Sequence, residues 1–144
     1  MKVMKIAQVP PPTVQAGATV QEAIPAIGSQ HGCGVAVLDG TRLVGTLSRD
    51  DVMLRVIGRG MNAETTKVRE VMDPPAQVVS TDTEADAALK AMFASKKCYL
   101  GIVDQEGTLQ GWLAICNLFQ DQVEDLTREL DSLAAYISAD GPGG

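Results

Sequence analysis

The chain has 144 residues, 45% hydrophobic and 21% charged, with a formal net charge of −6, which is the make-up of a globular protein with room for one core or two small fused ones. Its longest apolar runs, such as Leu113-Ala114-Ile115-Cys116, are far too short to span a bilayer, and no basic stripe is present to attract nucleic acid. The opening Met1-Lys2-Val3-Met4-Lys5-Ile6 has no apolar h-region, so a cytoplasmic location is the expectation.

The charge is uneven: +1 over residues 1–66, −2 over 67–116 and −5 over 117–144. Cys33, Cys98 and Cys116 are odd in number and widely spaced, and make neither a disulfide framework nor a C-x-x-C pair. His31 is the only histidine. With Cys33 it offers two ligands at most, so no structural metal site is expected from this chain alone.

In chain order, a Pro-rich entry (Val9-Pro10-Pro11-Pro12) leads into a short extended stretch around Val14. Thr19 and Glu22 then form a capping box, and Val20, Ala23, Ile24 and Ile27 make one apolar helix face. Pro25 falls inside this helix, where proline removes a hydrogen bond; a later start or a kink is the expectation. A strand (Val35–Leu38), a hairpin at Gly40 and a second strand (Leu43–Leu47) follow. This second strand runs into Gly45-Thr46-Leu47-Ser48-Arg49-Asp50-Asp51. Ser48 and Asp51 stand in the S-x-x-D relation of another capping box. A helix start offers backbone N–H groups that suit an anion, and a carboxylate one turn in can accept both hydroxyls of a ribose diol. Gly58–Thr66 is polar and glycine-containing, and reads as a linker.

The same pattern then returns. Shifted by 65 residues, Val3, Ile6 and Pro10 fall on Val68, Val71 and Pro75, and Cys33-to-Asp39 falls on Cys98-to-Asp104. One inserted turn residue changes the offset to 66, and Gly45 falls on Gly111. Insertion in a turn is what a duplicated unit tolerates. The second unit places Ala114 where Ser48 stands and Asn117 where Asp51 stands. Alanine is a poor N-cap, and asparagine binds a diol without charge assistance. Tyr99 and Trp112 either stack on a ligand or fill the core, the commoner use.

After the second unit, Phe119, Val123, Leu126, Leu130, Leu133 and Ile137 alternate in steps of four and three, the stripe of a coiled-coil seam. This helix, residues 119–138, packs either back on its own chain or against a partner. Residues 139–144 read as a disordered tail.

A tandem β-α-β-β-α unit with a Gly-x-x-Ser-x-x-Asp turn resembles the cystathionine β-synthase (CBS) domain pair, or Bateman module. The resemblance rests on Cys33-to-Asp39 with Arg42-to-Asp51, on Cys98-to-Asp104 with Gly107-to-Gly111, and on the joining segment Glu64-to-Asp73. It implies an α/β (α+β) fold, with repeats at 1–58 and 67–118, a linker at 59–66, and a pseudo-twofold axis flanked by two clefts. It also implies an adenine-containing regulatory ligand such as AMP, ADP, ATP or S-adenosylmethionine, with no catalytic residue and no metal. By that analogy Asp51 holds the ribose, Ser48 and Arg49 face a phosphate, and the backbone of Gly34, Val35 and Val14 sandwiches the adenine. Asn117 is the weaker counterpart in the second cleft. The competing readings are a ligand-free scaffold that only dimerises or docks a partner protein through its C-terminal helix, and a thiol switch at Cys33 and Cys98. The strict heptad stripe points to a homodimer, with acidic self-repulsion that salt would screen.

Overall fold

A computed structural model describes residues 1–29, 33–74 and 78–139. The expectations for His31, for Pro75 and for the tail beyond Ala139 lie outside the described residues. The fold is α/β: two three-stranded sheets, ordered β1-β2-β3 and β4-β5-β6, with helices on their outer faces.

The first repeat contains β1 (Thr13–Gln15), α1 (Val20–Ile27), β2 (Gly34–Asp39), β3 (Arg42–Ser48) and α2 (Arg49–Asp51), which passes directly into a π-helical turn, Val52–Ile57. α1 starts where the Thr19/Glu22 box predicts. Thr19 Oγ1 accepts from the Glu22 amide at 3.2 Å, and Glu22 returns the bond to the Thr19 amide at 3.3 Å. Pro25 does not delay this start. It sits near the end of an eight-residue helix and costs little length, because Gly28 closes the helix by donating to Ile24 O at 2.9 Å. Ile24, expected on the buried face, remains 40% exposed.

β2 is parallel to β1 and antiparallel to β3. The pleat divides its apolar run between two cores. Val35 and Val37 join Val20, Ala23 and Ile27 in the first-repeat core, whereas Ala36 points the other way, into a layer shared by both repeats. The second repeat copies this with β4 (Val78–Ser80), α4 (Ala85–Ser95), β5 (Tyr99–Val103) and β6 (Leu109–Ala114). Leu100, Ile102, Ala88 and Met92 make its core. Both hairpins turn on a glycine with positive φ, Gly40 (65°) and Gly107 (82°), a conformation only glycine adopts freely.

Two features differ from the sequence-based boundaries. First, the leading segments are exchanged between the halves. Val3, on a 3₁₀ turn (Val3–Lys5), is fully buried in the second-repeat core; its amide donates to Thr83 O at 2.9 Å. Reciprocally, Val68 and Val71 of α3 (Val68–Val71) are buried in the first-repeat core, and Val68 N donates to Ala18 O at 2.8 Å. Thus residues 1–8 serve the second sheet and residues 67–73 the first. Second, nothing separates residue 118 from 119. α5 runs unbroken from Ile115 to Ala139. Its first turn is anchored by Leu118, fully buried, but from Phe119 onward the stripe faces solvent: Phe119 46%, Val123 60%, Leu126 57%, Leu130 65%, Leu133 55% and Ile137 59% exposed. It does not fold back on its own chain. Asp121 departs from the acidic surface around it and is buried.

Candidate functional site

The sheets meet at the pseudo-twofold axis through Cys33, Ala36, Tyr99, Trp112 and Ala114. Tyr99 and Trp112 stack on each other, with centroids 4.9 Å apart and planes 14° from parallel. They are 3% and 2% exposed, so both fill the core. The Tyr99 hydroxyl also reaches across to Thr46 Oγ1 at 3.2 Å. Each exchanged segment is laced to a sheet edge beside this layer. Gln8 and Trp112 exchange backbone bonds of 2.8 and 3.1 Å, and Thr46 and Asp73 exchange bonds of 3.1 and 2.9 Å.

A cleft opens where α2 begins. Cys33, Ser48, Arg49, Asp50 and Asp51 form its first-repeat wall, and Lys96, Lys97, Cys98 and Tyr99 form its second-repeat wall, around about 130 Å³. Ser48 is the N-cap. Its Oγ accepts from the Asp51 amide at 3.1 Å, and Asp51 Oδ2 accepts from the Ser48 amide at 2.9 Å. Both halves of the predicted box are present. The cap also uses up part of the anion-binding potential expected of this helix start. The Asp51 amide is committed to Ser48, and the Arg49 amide donates to Cys33 O at 3.4 Å. Asp51 is 6% exposed. Its second oxygen, Oδ1, lies 3.6 Å from Arg55 Nη1.

Arg55 begins a chain of charges that sequence spacing did not single out. Its Nη2 pairs with Asp73 Oδ1 at 2.7 Å, and Lys97 Nζ pairs with Asp73 Oδ2 at 2.7 Å. Asp73 therefore clasps the two repeats together beside the cleft. Burial opposes its ionisation, but the hydrogen bonds from Lys97 and Arg55 outweigh burial and hold its carboxyl below the ordinary value. The hydrogen bond to Asp73 likewise raises Lys97. Arg55 was findable as the i+4 neighbour of Asp51 on one helix face. Lys97 and Asp73 carry no such local signal, because only the tertiary fold brings them together.

Of the residues singled out in the sequence, Ser48, Arg49 and Asp51 share this cleft. Gly34 pairs with Ser48 across β2 and β3, and a side chain there would come within 2.9 Å of Leu47 O and 3.3 Å of Tyr99 Cε1. The side chains of Val35 and Val14 belong to the first-repeat core, which leaves only their backbone for a ligand. Asn117 lies elsewhere, in the first turn of α5. Its Oδ1 accepts from the Ala114 amide at 3.3 Å, so half of a capping box survives there.

A family model described as "CBS domain" matches residues 3–58. A conserved CBS-domain protein of Thermoplasma acidophilum superimposes over 83% of this chain and 68% of its own, with a TM-score of 0.75 and 26% identity. The chain has the fold of a CBS-domain pair. An Arabidopsis thaliana CBS domain-containing protein, CBSCBSPB1, is 28% identical over 88% of this chain and 23% of its own length. A CBS-domain protein of Pyrobaculum aerophilum, solved with AMP, shares the fold at a TM-score of 0.73 and 18% identity, over 81% of this chain and 89% of its own. This CBS pair spans under half the length of the curated relatives compared with it. Among its described residues no helix is long and apolar enough to cross a membrane.

Proposed function

We propose that this CBS pair is a regulatory module that senses an adenine nucleotide or S-adenosylmethionine-type ligand in the cleft at Ser48 and Asp51, and does no chemistry of its own. The observation that carries this reading is the convergence, from both repeats, of a buried carboxylate, a capping hydroxyl and a lysine on one cleft. Asp51 Oδ1 receives a ribose hydroxyl, and Lys97 and Arg49 face the phosphate. The AMP found in the Pyrobaculum aerophilum neighbour supports the ligand class. The present cleft, about 130 Å³, is below the roughly 300 Å³ at which ligand pockets begin. In this reading Lys97, which lines the cleft, exchanges Asp73 for the ligand phosphate, and loosening of that clasp is the signal passed on. The exposed stripe on α5 supports the second part of the reading, a homodimer joined through that helix.

Calorimetric titration of the full chain with AMP, ADP, ATP and S-adenosylmethionine tests the ligand class. One site per chain is expected, since the second repeat lacks the Ser/Asp pair. Silence with all four would leave the ligand-free scaffold as the better account.

A further inference from the structure

Two of the three amides of α2 are already committed, Arg49 N to Cys33 O and Asp51 N to Ser48 Oγ. A phosphate in the cleft therefore depends on side chains for its charge balance. The two walls supply three cations, Arg49 from the first repeat and Lys96 and Lys97 from the second. Lys97 is engaged with Asp73. Among the described residues Arg49 and Lys96 make no ion pair, and both are exposed. Against the three cations stand Asp50 and Asp51, which leaves this lining at +1 in a chain of net charge −6.

Lys96 also has an uncommon backbone. It closes α4 at φ 58° and ψ 33°, in the left-handed region, with its amide donating to Met92 O. Among the described residues no other residue but glycine has a positive φ. Glycine takes this conformation without steric cost and is the usual residue at such a helix end. A lysine there is strained, and strain of this kind clusters at ligand-binding sites. We propose that the cleft is selective for a nucleoside di- or triphosphate, whose phosphates beyond the first lie between Lys96 and Arg49 and so tie the second repeat to the first. This selectivity rests on the nucleotide reading above and narrows it. The first phosphate meets Lys97, and the later ones bring the charge that the two unpaired cations match. Lysine suits this role as a compact, mobile point charge on phosphate. A monophosphate leaves Lys96 unused, and the sulfonium of S-adenosylmethionine adds a like charge to a cationic lining.

The test is calorimetric titration of the full chain with ATP, ADP, AMP and S-adenosylmethionine, without added magnesium, repeated on Lys96→Gly. Glycine relieves the left-handed backbone, so this variant should unfold at the same or a higher temperature than the unmutated chain. The expected result is that ATP and ADP bind at least about tenfold tighter than AMP, with S-adenosylmethionine weaker still. Lys96→Gly should lose roughly tenfold for ATP, the loss of one charge-assisted contact, and nothing for AMP. Lys96→Asn, which also tolerates the left-handed region, should repeat that pattern. AMP binding as tight as ATP binding, or a Lys96→Gly variant that keeps its ATP affinity or loses ATP and AMP affinity alike, would overturn the selectivity and leave the nucleotide reading standing. No binding of any of the four ligands would overturn both.

Discussion

The helices that open at Ser48 and Ala114 are copies of one element put to different uses. The first has a complete cap, with side chain to backbone bonds in both directions, and its helical run ends at Ile57. The second keeps one half of the cap, Asn117 to Ala114, and runs on to Ala139 with a bare apolar stripe. Duplication leaves each half free to lose what the other retains. One helix start keeps the carboxylate that faces the cleft, and the other helix gains length and an exposed seam.

The sharpest way to break this contrast is at the seam. Leu126→Asp with Leu130→Asp should abolish the proposed homodimer while leaving the two cores intact, since both leucines are more than half exposed. Light scattering of this variant, and of a truncation ending at Phe119, reads the outcome; a dimer that survives both would have to be held by the faces of the repeats. Moderate salt should tighten the dimer of the unmutated chain, because Glu124, Glu129 and Asp131 line this helix and their repulsion is screened.

Next in size is the pair of equivalent strand glycines. A methyl group at Gly45 would fall 2.4 Å from Asp73 O, whereas at Gly111 the closest atom is 3.4 Å away. Gly45→Ala should cost about 1–3 kcal/mol in urea unfolding, as overpacking does, and Gly111→Ala should be close to neutral. Equal costs would mean that the Thr46–Asp73 lacing can shift as freely as the Gln8–Trp112 one.

Asp51→Ala should weaken nucleotide binding by roughly tenfold to a hundredfold, from the loss of about 1.5–3 kcal/mol in a charge-assisted hydrogen bond. Asn117→Ala should leave binding unchanged. Unaltered affinity in a folded Asp51 variant would remove that residue from the site. Two ligands per chain would show that the second cleft binds despite Ala114.

The clasp adds a pH signature. Because the Asp73 carboxyl is held below its ordinary value, its contribution to stability is present above the unfolded-state value and is lost as pH falls through the folded one. Asp73→Asn should therefore be less stable than the unmutated chain at neutral pH, with the difference shrinking on acidification. A difference that persists at acid pH would assign the effect to packing. The smallest expected change is a gain: Ala114→Ser completes the second capping box and should add about 1 kcal/mol, measured by thermal unfolding.

Much of this was legible in the sequence because it is periodic or local. The duplicated motif gave the two sheets, and the S-x-x-D spacing gave the cap at Ser48. The heptad stripe gave a helix, though not its continuity with the second repeat, since Ala114-Ile115-Cys116-Asn117 carries strand and helix signals together. What stayed hidden is non-local. Asp73, Lys97 and Arg55 are polar residues at unremarkable positions, and only the packing of the repeats joins them. Nor does a pattern repeated every 65 residues say which copy of Val3 and Val68 enters which core.

That exchange shapes how the chain folds. Lys2 donates to Asp82 O at 2.9 Å across a separation of 80 residues, and Val3 completes a core whose other members begin at Ala85. The first hydrophobic nucleus draws on residues 14–72 alone, whereas the second is not finished by contiguous sequence and must await closure of a long loop, the circumstance that raises contact order and slows folding. The two halves should therefore melt as one cooperative transition, and a backbone nicked between residues 58 and 67 should hold together as a non-covalent pair.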